Sequence, residues 1–336
     1  MEEQVKVNEK TKKGGLVSRF KDPNFKISRK GKWYAIIPAL IIVIGLIVAL
    51  TAGMNLGLDF TGGQIWNVTG IDTGRTNVDR VQTIARNPEI LGGRATATGR
   101  TDTIEIRFNL SDSSSENLAL VTTALQDALT AEFSGYTVVV GEPNFTSAAQ
   151  SSDRIMTTII AISVALVAIL IYMLFRFKFT SGVAATVGLL HDVLVMFALT
   201  IIFQVQINAA FIAAFITVIG YSLNSTLILF DRIRGMEKNN EKRYTTEMLV
   251  DKAVKDTFGR TMNTMITTLV PVFVLIVAGV PAIREFALPI FFGLIAGVFS
   301  TIFLTTSLYV RFENAKKISK SENKKQIQSK TPVTNP

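Results

Sequence analysis

Six long apolar segments limit the possible folds of this chain more than any other feature of its sequence. They cover residues 33–52, 155–175, 182–203, 209–230, 264–280 and 286–310. An α-helix needs roughly 20 consecutive apolar residues to cross the hydrocarbon core of a bilayer. We therefore predict a polytopic membrane protein with six transmembrane helices. The first segment follows a long polar stretch without a small-residue cleavage site, so we interpret it as an anchor and not as a signal peptide.

Lysine and arginine residues indicate how these helices are oriented. They are concentrated before the first segment, between the second and third, after the fourth and after the sixth. In a six-helix topology these four regions share one side of the membrane, and the positive-inside rule assigns that side to the cytoplasm. We therefore predict that both termini are cytoplasmic. The net charge of +9 then reflects topology and contacts with anionic membrane lipids, and it does not indicate a nucleic-acid partner.

The polar stretch between the first two segments predicts a separate α/β domain. Residues 64–69, 94–99, 103–108 and 136–140 have the pattern of strands, and residues 77–86 and 116–133 that of helices. The order β-α-β-β-α-β is typical of a ferredoxin-like domain. The sequence of the domain shows no nucleophile with a base, no phosphate-binding loop and no paired carboxylates at a recognisable spacing. Because the chain lacks cysteine and has one histidine, we predict neither disulfides nor a metal site.

These patterns divide the chain into five predicted parts. Residues 1–32 form a cytoplasmic segment, residues 33–54 the first transmembrane helix, and residues 55–153 the extracytoplasmic domain. Residues 154–312 form a five-helix bundle. The polar, lysine-rich residues 313–336 are expected to be a disordered cytoplasmic tail.

The stretch GLDFTGG, residues 57–63, connects the first apolar segment to the polar domain. Gly57, Gly62 and Gly63 permit backbone angles that other residues resist, and Asp59 can accept hydrogen bonds from nearby backbone amides. Turn chemistry favours a structural elbow here. The alternative is that the glycines form a hinge on which the domain moves relative to the bundle.

Further motifs follow GLDFTGG in a defined order. They are LLHDVLV, IGYSLNSTLILFDRIR, FGRTMNTMITTL and IREFALPIFFGLIAGVFSTIF. Together the five motifs resemble the SecF family, the protein-export subunits that pair with SecD and belong to the resistance-nodulation-division superfamily. The resemblance extends from about residue 33 to residue 312 and includes the family's one-plus-five arrangement of helices.

This resemblance implies a subunit that helps the SecYEG channel complete protein translocation across the bacterial cell membrane. Its partners would be SecD and exported polypeptides, and its energy would come from a proton or sodium gradient. Neither an enzyme activity nor a cofactor is implied, and the sequence contains no nucleotide-binding loop of the Walker type. Two alternatives remain: a non-energised scaffold of a membrane complex, and a lipid or drug exporter of the same superfamily.

His191 and Asp192 are ionisable residues near the middle of the third apolar segment. A charge at that depth costs at least ~2.5 to 3.5 kcal/mol on insertion scales, which favours a position inside the bundle or in contact with water. Two interpretations stay open. The pair is either a proton relay for ion coupling or a neutral hydrogen-bonded pair that ties helices together.

A polar belt lies in the fourth apolar segment and contains Ser222, Asn224, Ser225 and Thr226. Small hydroxyl residues favour close packing of membrane helices, which is the simpler interpretation of Ser222 and Thr226. The SecF pattern here is Asn-Asp-Thr, so Ser225 stands where the family has an intramembrane aspartate. Serine does not titrate near neutral pH. Three possibilities follow: Asp192 titrates instead, SecD carries the titrating aspartate alone, or hydroxyl and amide oxygens coordinate sodium.

Charged residues near the ends of the fourth and fifth segments complete the candidates. Arg260 matches an Arg-Thr motif of the family, and we expect it to neutralise or gate carboxylates of the bundle. Asp231, Arg232 and Arg234 follow the fourth segment, where they are expected to anchor the helix at the membrane surface.

Overall fold

The computed structural model describes residues 34–91, 95–99, 102–108, 114–146, 148–240, 244–278 and 281–330. The predicted N-terminal segment, residues 1–32, lies outside the described residues. An apolar helix α1 (Ile36–Thr51) leads through an elbow and a short helix α2 (Leu58–Thr61) into an α/β domain. The remaining helices form a bundle.

The α/β domain has the predicted ferredoxin-like arrangement. Its elements are β1 (Gly63–Thr69), α3 (Arg75–Ala85), β2 (Thr96–Gly99), β3 (Thr103–Phe108), α4 (Ser115–Glu132) and β4 (Val139–Val140). The strands pair in the order β2-β3-β1-β4, and every pairing is antiparallel. A further short strand, β5 (Asn144–Thr146), also pairs with β1 and was not predicted.

Both helices of the domain cover one face of its sheet and form a separate hydrophobic core. Trp66 on β1 is fully buried, and its indole nitrogen donates a hydrogen bond of 2.9 Å to the hydroxyl of Thr122 on α4. The Ser114 side chain caps α4 by accepting from the amide of Asn117. Apolar residues recur at helical spacing along the buried face of α4: Leu118, Val121, Leu125 and Leu129. This periodicity is what the sequence predicted for the segment.

Among the described residues, five helices are long and apolar enough to cross a membrane. They arise from α5 (Ala148–Arg176), α6 (Phe179–Ile202), α7 (Ala209–Asn240), α8 (Thr246–Ala278) and α9 (Pro281–Phe299), the last continuing through a π-helix (Ser300–Thr305) into α10 (Thr306–Lys330). With the shorter apolar helix α1, they match the predicted one-plus-five arrangement. The chain is a multi-pass membrane protein.

Helix α9 lies at the centre of the bundle, where it packs against α6, α7 and α8. Helix α1 packs against α6, and a Cβ added to Gly45 would lie 2.6 Å from the Cβ of Ala198. In contrast, only 6% of the residues in the most apolar stretch of α5, and likewise of α8, are buried. For the membrane-spanning helix that starts in α9, 67% of these residues are buried. Much of α5 and α8 is therefore left for lipid or for a partner to cover.

The C-terminal tail differs from the predicted disorder, because α10 continues to Lys330. A helix that starts inside the bundle needs no new nucleus to continue. The tail also contains six lysines between residues 316 and 330, and lysine has a high helix propensity. Lys317 fixes the beginning of this extension by donating a hydrogen bond of 2.8 Å to the hydroxyl of Thr246 on α8.

Candidate functional site

Asp192 is completely buried in the middle of α6. It lies roughly 20 Å along the helix from Phe179 at a rise of 1.5 Å per residue. One carboxylate oxygen accepts a hydrogen bond from the hydroxyl of Ser222 on α7, and Ser300 in the π-helix is a further hydrogen-bonding neighbour. Three helical segments therefore meet at this carboxyl group.

The neighbouring His191 supplies the second ionisable group of the site. Its Nδ1 is 2.9 Å from the other carboxylate oxygen of Asp192, and its side chain is only 10% exposed. The ring stacks against Phe299 with centroids 6.4 Å apart. Its Nε2 is buried without a hydrogen-bond partner among the described residues. One ring nitrogen thus serves Asp192, while the other remains available to a water molecule or a proton.

Glycines on α9 allow the helices to approach each other around Asp192. Gly293 and Gly297 are four residues apart, the spacing that allows close contact between membrane helices. A Cβ on Gly297 would lie 3.3 Å from the Cβ of Ser222 and 3.6 Å from the Oδ2 of Asp192. A Cβ on Gly293 would overlap the methyl groups of Val218. The absence of side chains at these two positions lets Ser222 reach the carboxyl group.

The π-helix between α9 and α10 brings further hydroxyl groups to the same region. Ser300, Thr301 and Thr305 are all buried. The Thr301 hydroxyl lies 3.2 Å from that of Thr226 on α7, and Ser300 Oγ lies 3.1 Å from the carbonyl oxygen of Gly297. Because the Ser300 hydroxyl has one hydrogen, it can donate either to Gly297 or to Asp192 at a given moment. Single π-turns inside helices often occur at functional sites.

This arrangement can hold a proton in more than one place. When Asp192 is charged, Nδ1 of His191 and the hydroxyl of Ser222 can both donate to it. When Asp192 is protonated, it can itself donate to Nδ1, and the remaining ring proton then occupies Nε2. No lysine or arginine forms an ion pair with Asp192 in the described part of the chain. The charged form is therefore stabilised by dipoles and by His191.

The structure separates the other candidates of the polar belt from Asp192. Ser225 is buried, but its hydroxyl donates to the carbonyl oxygen of Tyr221 on its own helix at 3.3 Å. Asn224 is exposed on the opposite face of α7. Arg260 is exposed on α8 and forms no ion pair with Asp192, which is fully buried. The expected contact between Arg260 and this bundle carboxylate is therefore absent from the structure.

The elbow at residues 57–63 is attached to the loop between α6 and α7. The amide of Gly57 donates to the carbonyl oxygen of Ile207 at 2.8 Å, and a Cβ on Gly57 would lie 2.8 Å from the Cβ of Asn208. Gly57 is therefore required for a close approach. Gly62 and Gly63 have φ angles of 69° and 141°, which favour glycine at the turn into β1. The structural elbow accounts for all three glycines, while the hinge remains a prediction.

Asp59 joins the elbow to two membrane helices. Its Oδ2 accepts a hydrogen bond of 3.0 Å from the amide of Ala209, the first residue of α7. Its Oδ1 lies 3.2 Å from the guanidinium of Arg154 on α5. The sequence predicted that Asp59 accepts hydrogen bonds from nearby backbone amides; in the structure its two carboxylate oxygens instead contact residues far along the chain.

On the side opposite the domain, the motif residues connect α7 with its neighbours. Asp231 pairs with Arg176 on α5 at 3.0 Å, and Arg232 donates to Asp256 on α8. Arg234 donates to the carbonyl oxygen of Arg176 at 3.3 Å. These contacts hold the end of α7 against its neighbouring helices, as an anchoring role requires. Each exposed ion pair contributes at most about 1 kcal/mol to the stability of the fold.

Two hydrogen-bonding partners of Asp192 were not predicted as such from the sequence. Ser222 was interpreted as a packing residue, and Ser300 was not singled out at all. The sequence feature that could have indicated such partners was the carboxyl group itself, because a buried charge requires hydrogen-bond donors from neighbouring helices. Which hydroxyls supply them depends on helix packing, and a single sequence does not specify that packing.

Comparisons with known proteins identify related sequences for most of the chain. Residues 127–315 match the family model described as "Protein export membrane protein SecD/SecF, C-terminal", and residues 47–65 match the "SecD/SecF GG Motif". The chain is 27% identical to the protein translocase subunit SecF of Sebaldella termitidis, covering 89% of this chain and 95% of that protein. It is 29% identical to SecF of Helicobacter pylori strain J99, covering 89% and 93%.

In some longer relatives, the part that matches this chain is less than half of a single polypeptide. The chain is 25% identical to the protein translocase subunit SecDF of Bacillus subtilis over 84% of its own length and 37% of that protein. It also resembles the crystal structure of SecDF from Thermus thermophilus, a translocon-associated membrane protein, with a TM-score of 0.68 and 26% identity. That match covers 90% of this chain and 40% of the solved chain. The chain thus spans less than half the length of these SecDF proteins.

Proposed function

Because the chain belongs to the SecD/SecF family of protein export membrane proteins, we propose that it works with SecD and uses an ion gradient to promote protein translocation. A membrane role in Sec-dependent protein export follows from relatives that are translocase subunits. The proposal adds the partner, the energy source and the residues. The observation that carries it is the buried carboxyl of Asp192, held by His191 and Ser222.

A carboxyl group in the middle of a membrane bundle is costly, and such groups commonly mark ion pathways. Asp192 is surrounded by donors that can stabilise its charged form, and His191 can exchange a proton with it. Ser225 cannot titrate, and its hydroxyl is satisfied by its own helix. We propose that Asp192 has the coupling role that the family pattern would give to position 225. The coupling ion is a proton in this proposal, with sodium as the alternative to be tested.

SecD is proposed as the partner on two grounds. In Bacillus subtilis and Thermus thermophilus the matching region is part of a larger SecDF chain. Helices α7 and α8 also expose polar side chains, among them Asn224 within the apolar segment of α7 and Asn263 directly before that of α8. An exposed amide is unfavourable in lipid and is stabilised by contact with another helix. We propose that a SecD-like subunit supplies that contact.

The wider setting of this proposal is the bacterial cytoplasmic membrane. The α/β domain would face outward and both termini would face the cytoplasm, as the distribution of basic residues suggests. The SecYEG channel, exported polypeptides and membrane lipids would be its further partners. Nucleic acid has no place in this proposal.

Measurement of export in cells that depend on this chain tests the proposal. Export of a slowly folding secreted protein is followed with and without an ionophore, for the wild type and for Asp192→Asn. The variant keeps the size and polarity of the side chain but does not ionise. We expect it to lose the ionophore-sensitive part of export while its amount in the membrane stays unchanged.

Ser225→Ala is the matched control, because it removes a hydroxyl that bonds only within α7. We expect its export to remain near the wild-type level. If sodium is the coupling ion, Ser225→Ala should instead raise the sodium concentration needed for half-maximal export. Near-wild-type export by both variants under proton and sodium gradients would exclude an ion site in this chain.

A further inference from the structure

The α/β domain and the buried carboxyl are connected through the first turn of α7. The first amides of a helix have no partner within the helix and need acceptors from elsewhere. In α7, the Ala209 amide donates to Asp59 in the elbow at 3.0 Å, and the Phe211 amide donates to Asn208 at 3.1 Å. A carboxylate at this end of a helix is additionally favoured by the helix dipole. The start of α7 is thus held by a residue from before the domain.

Backbone hydrogen bonds reinforce this attachment. The amide of Ile207 donates to the carbonyl oxygen of Asn55, and Leu56 and Ile207 form a parallel β-bridge. The side chain of Asn55 donates to the carbonyl oxygen of Gln204 at 2.9 Å. The elbow and the loop before α7 therefore form one hydrogen-bonded unit, and displacement of the elbow would displace the start of α7.

Helix α9 is attached to the same point. The Asn208 side chain donates to Glu285 on α9 at 2.7 Å. Arg107 on β3 is near enough to Glu285 for their charges to interact. The domain thus approaches α9 directly through its sheet and α7 through the elbow.

Both helices lead to Asp192. Ser222 follows Ala209 by 13 residues, roughly 20 Å along a continuous helix. Between these points α7 packs tightly: Phe211, Ala214, Phe215 and Val218 are buried in one cluster with residues of α9. Such a packed helix transmits a shift of its end, because close-packed interiors are stiff. A movement at Asp59 would therefore alter the contact between Ser222 and Asp192.

We propose that Asp59 is a positioning residue for Asp192, which it affects by holding the first turn of α7 to the elbow of the α/β domain. The domain and the buried carboxyl are then linked in both directions: movement of the domain changes the donors around Asp192, and a change at Asp192 is transmitted to the domain. This inference deepens the proposed function and rests on it, because it takes Asp192 as the coupling carboxyl.

The reactivity of Asp192 itself provides a test that does not depend on export. The full chain is expressed with SecD, and membranes are treated with a membrane-permeant carbodiimide, which modifies accessible carboxyl groups in apolar surroundings. Mass spectrometry measures the rate of modification at Asp192. We expect slow modification in the wild type and a several-fold faster rate in Asp59→Ala, because Ser222 no longer covers one carboxylate oxygen.

Two matched variants distinguish the helix cap from the ion pair of Asp59. Asp59→Asn retains an oxygen that can accept from Ala209 but loses the charge that pairs with Arg154, and Arg154→Gln leaves the cap intact. We expect both to resemble the wild type. A wild-type rate in Asp59→Ala, or an equally large increase in Arg154→Gln, would overturn the proposal.

Rescue separates positioning from general loss of structure. The chain has no native cysteine, so Leu56→Cys with Ile207→Cys can form a disulfide between the two partners of the β-bridge. Oxidation of this pair should return the modification rate of Asp59→Ala toward the wild-type value, and no change on oxidation would contradict the proposal. If Asp59→Ala does not accumulate, Glu285→Ala and Glu285→Gln replace it. We expect faster modification only in the alanine variant, and equal rates would overturn the link.

The two proposals can fail separately. If Asp192→Asn exports normally but Asp59→Ala still speeds modification of Asp192, the mechanical link stands and the coupling role fails. If Asp192→Asn loses gradient-dependent export but Asp59→Ala leaves the modification rate unchanged, the coupling role stands and the positioning role of Asp59 is wrong.

Discussion

At the scale of single residues, the candidate site depends on glycines, whose lack of a side chain lets neighbouring helices come close together. Gly293 faces Val218 on α7 so closely that an added Cβ would overlap its methyl groups. Val218 is itself buried, so the two helices would have to separate. Gly293→Ala should therefore destabilise the bundle by about 1–3 kcal/mol, the usual cost of overpacking a well-packed interior. The thermal unfolding midpoint of the purified protein should fall accordingly.

Gly220→Ala is the control for this prediction. Gly220 lies on α7 near Val218, but an added Cβ would meet no atom within 4 Å. Alanine has the higher helix propensity, so the control should be as stable as the wild type or slightly more stable. Equal unfolding midpoints for the two variants would show that the approach of α9 to α7 is not limited by Gly293.

The residues that were predictable from sequence were those that stand out against their surroundings. His191 and Asp192 are noticeable because charges are expensive inside an apolar segment. Ser222 and Ser225 differ by only three positions and have the same chemistry. Only the rotation of α7 against α6 decides which of them reaches Asp192, and tertiary packing determines that rotation. For the same reason, the sequence did not reveal that Arg260 lies outside the buried site.

At the scale of elements, helix α4 tests the boundary between the core and the surface of the α/β domain. Leu125 is fully buried against the sheet, whereas Leu120 on the same helix is 64% exposed. Leu125→Ala should destabilise the domain by about 2–5 kcal/mol through lost burial and a remaining cavity. Leu120→Ala should change its stability by no more than about 0.5 kcal/mol.

Hydrogen exchange of the domain amides in the full-length chain measures both variants under the same conditions. Faster exchange across β1, β3 and α4 is expected for Leu125→Ala alone, while amides in the membrane helices remain protected. Similar exchange in both variants would mean that α4 does not pack on the sheet as the structure describes.

Elements with a strong periodic pattern were predicted well, and short ones were not. The segment predicted as residues 116–133 is α4 (Ser115–Glu132), and β3 has the predicted bounds. The last predicted strand, residues 136–140, is reduced to Val139–Val140, and β5 follows where none was expected. Strands of two or three residues carry too little alternation to be recognised. Their existence depends on pairing with β1, a contact made at long range along the chain.

At the scale of the whole molecule, polar surface remains uncovered in the helices of this chain. Asn224 on α7 is exposed within an apolar segment, and Asn263 on α8 is exposed directly before one. Neither side-chain amide has a hydrogen-bond partner among the described residues. Lipid tails cannot supply such partners. SecDF relatives contain a further portion beyond the region that matches this chain, and we propose that a SecD-like subunit covers these helices.

The uncovered polar residues of α7 and α8 are expected to take part in assembly with SecD. Asn224→Leu combined with Asn263→Leu replaces exposed amides by apolar side chains, which suits contact with lipid but removes donors and acceptors for a partner helix. The variant chain alone should be at least as stable as the wild type, yet it should recover less SecD on co-purification. Thr157→Leu on the exposed face of α5 is the control, because it makes a similar polar-to-apolar change on a different helix.

Blue-native electrophoresis of membranes containing both subunits measures the complex directly. The wild type and Thr157→Leu should migrate with SecD, and the double variant should release a larger fraction of free chain. If the double variant binds SecD as well as the wild type does, the partner must cover a surface that does not include Asn224 and Asn263.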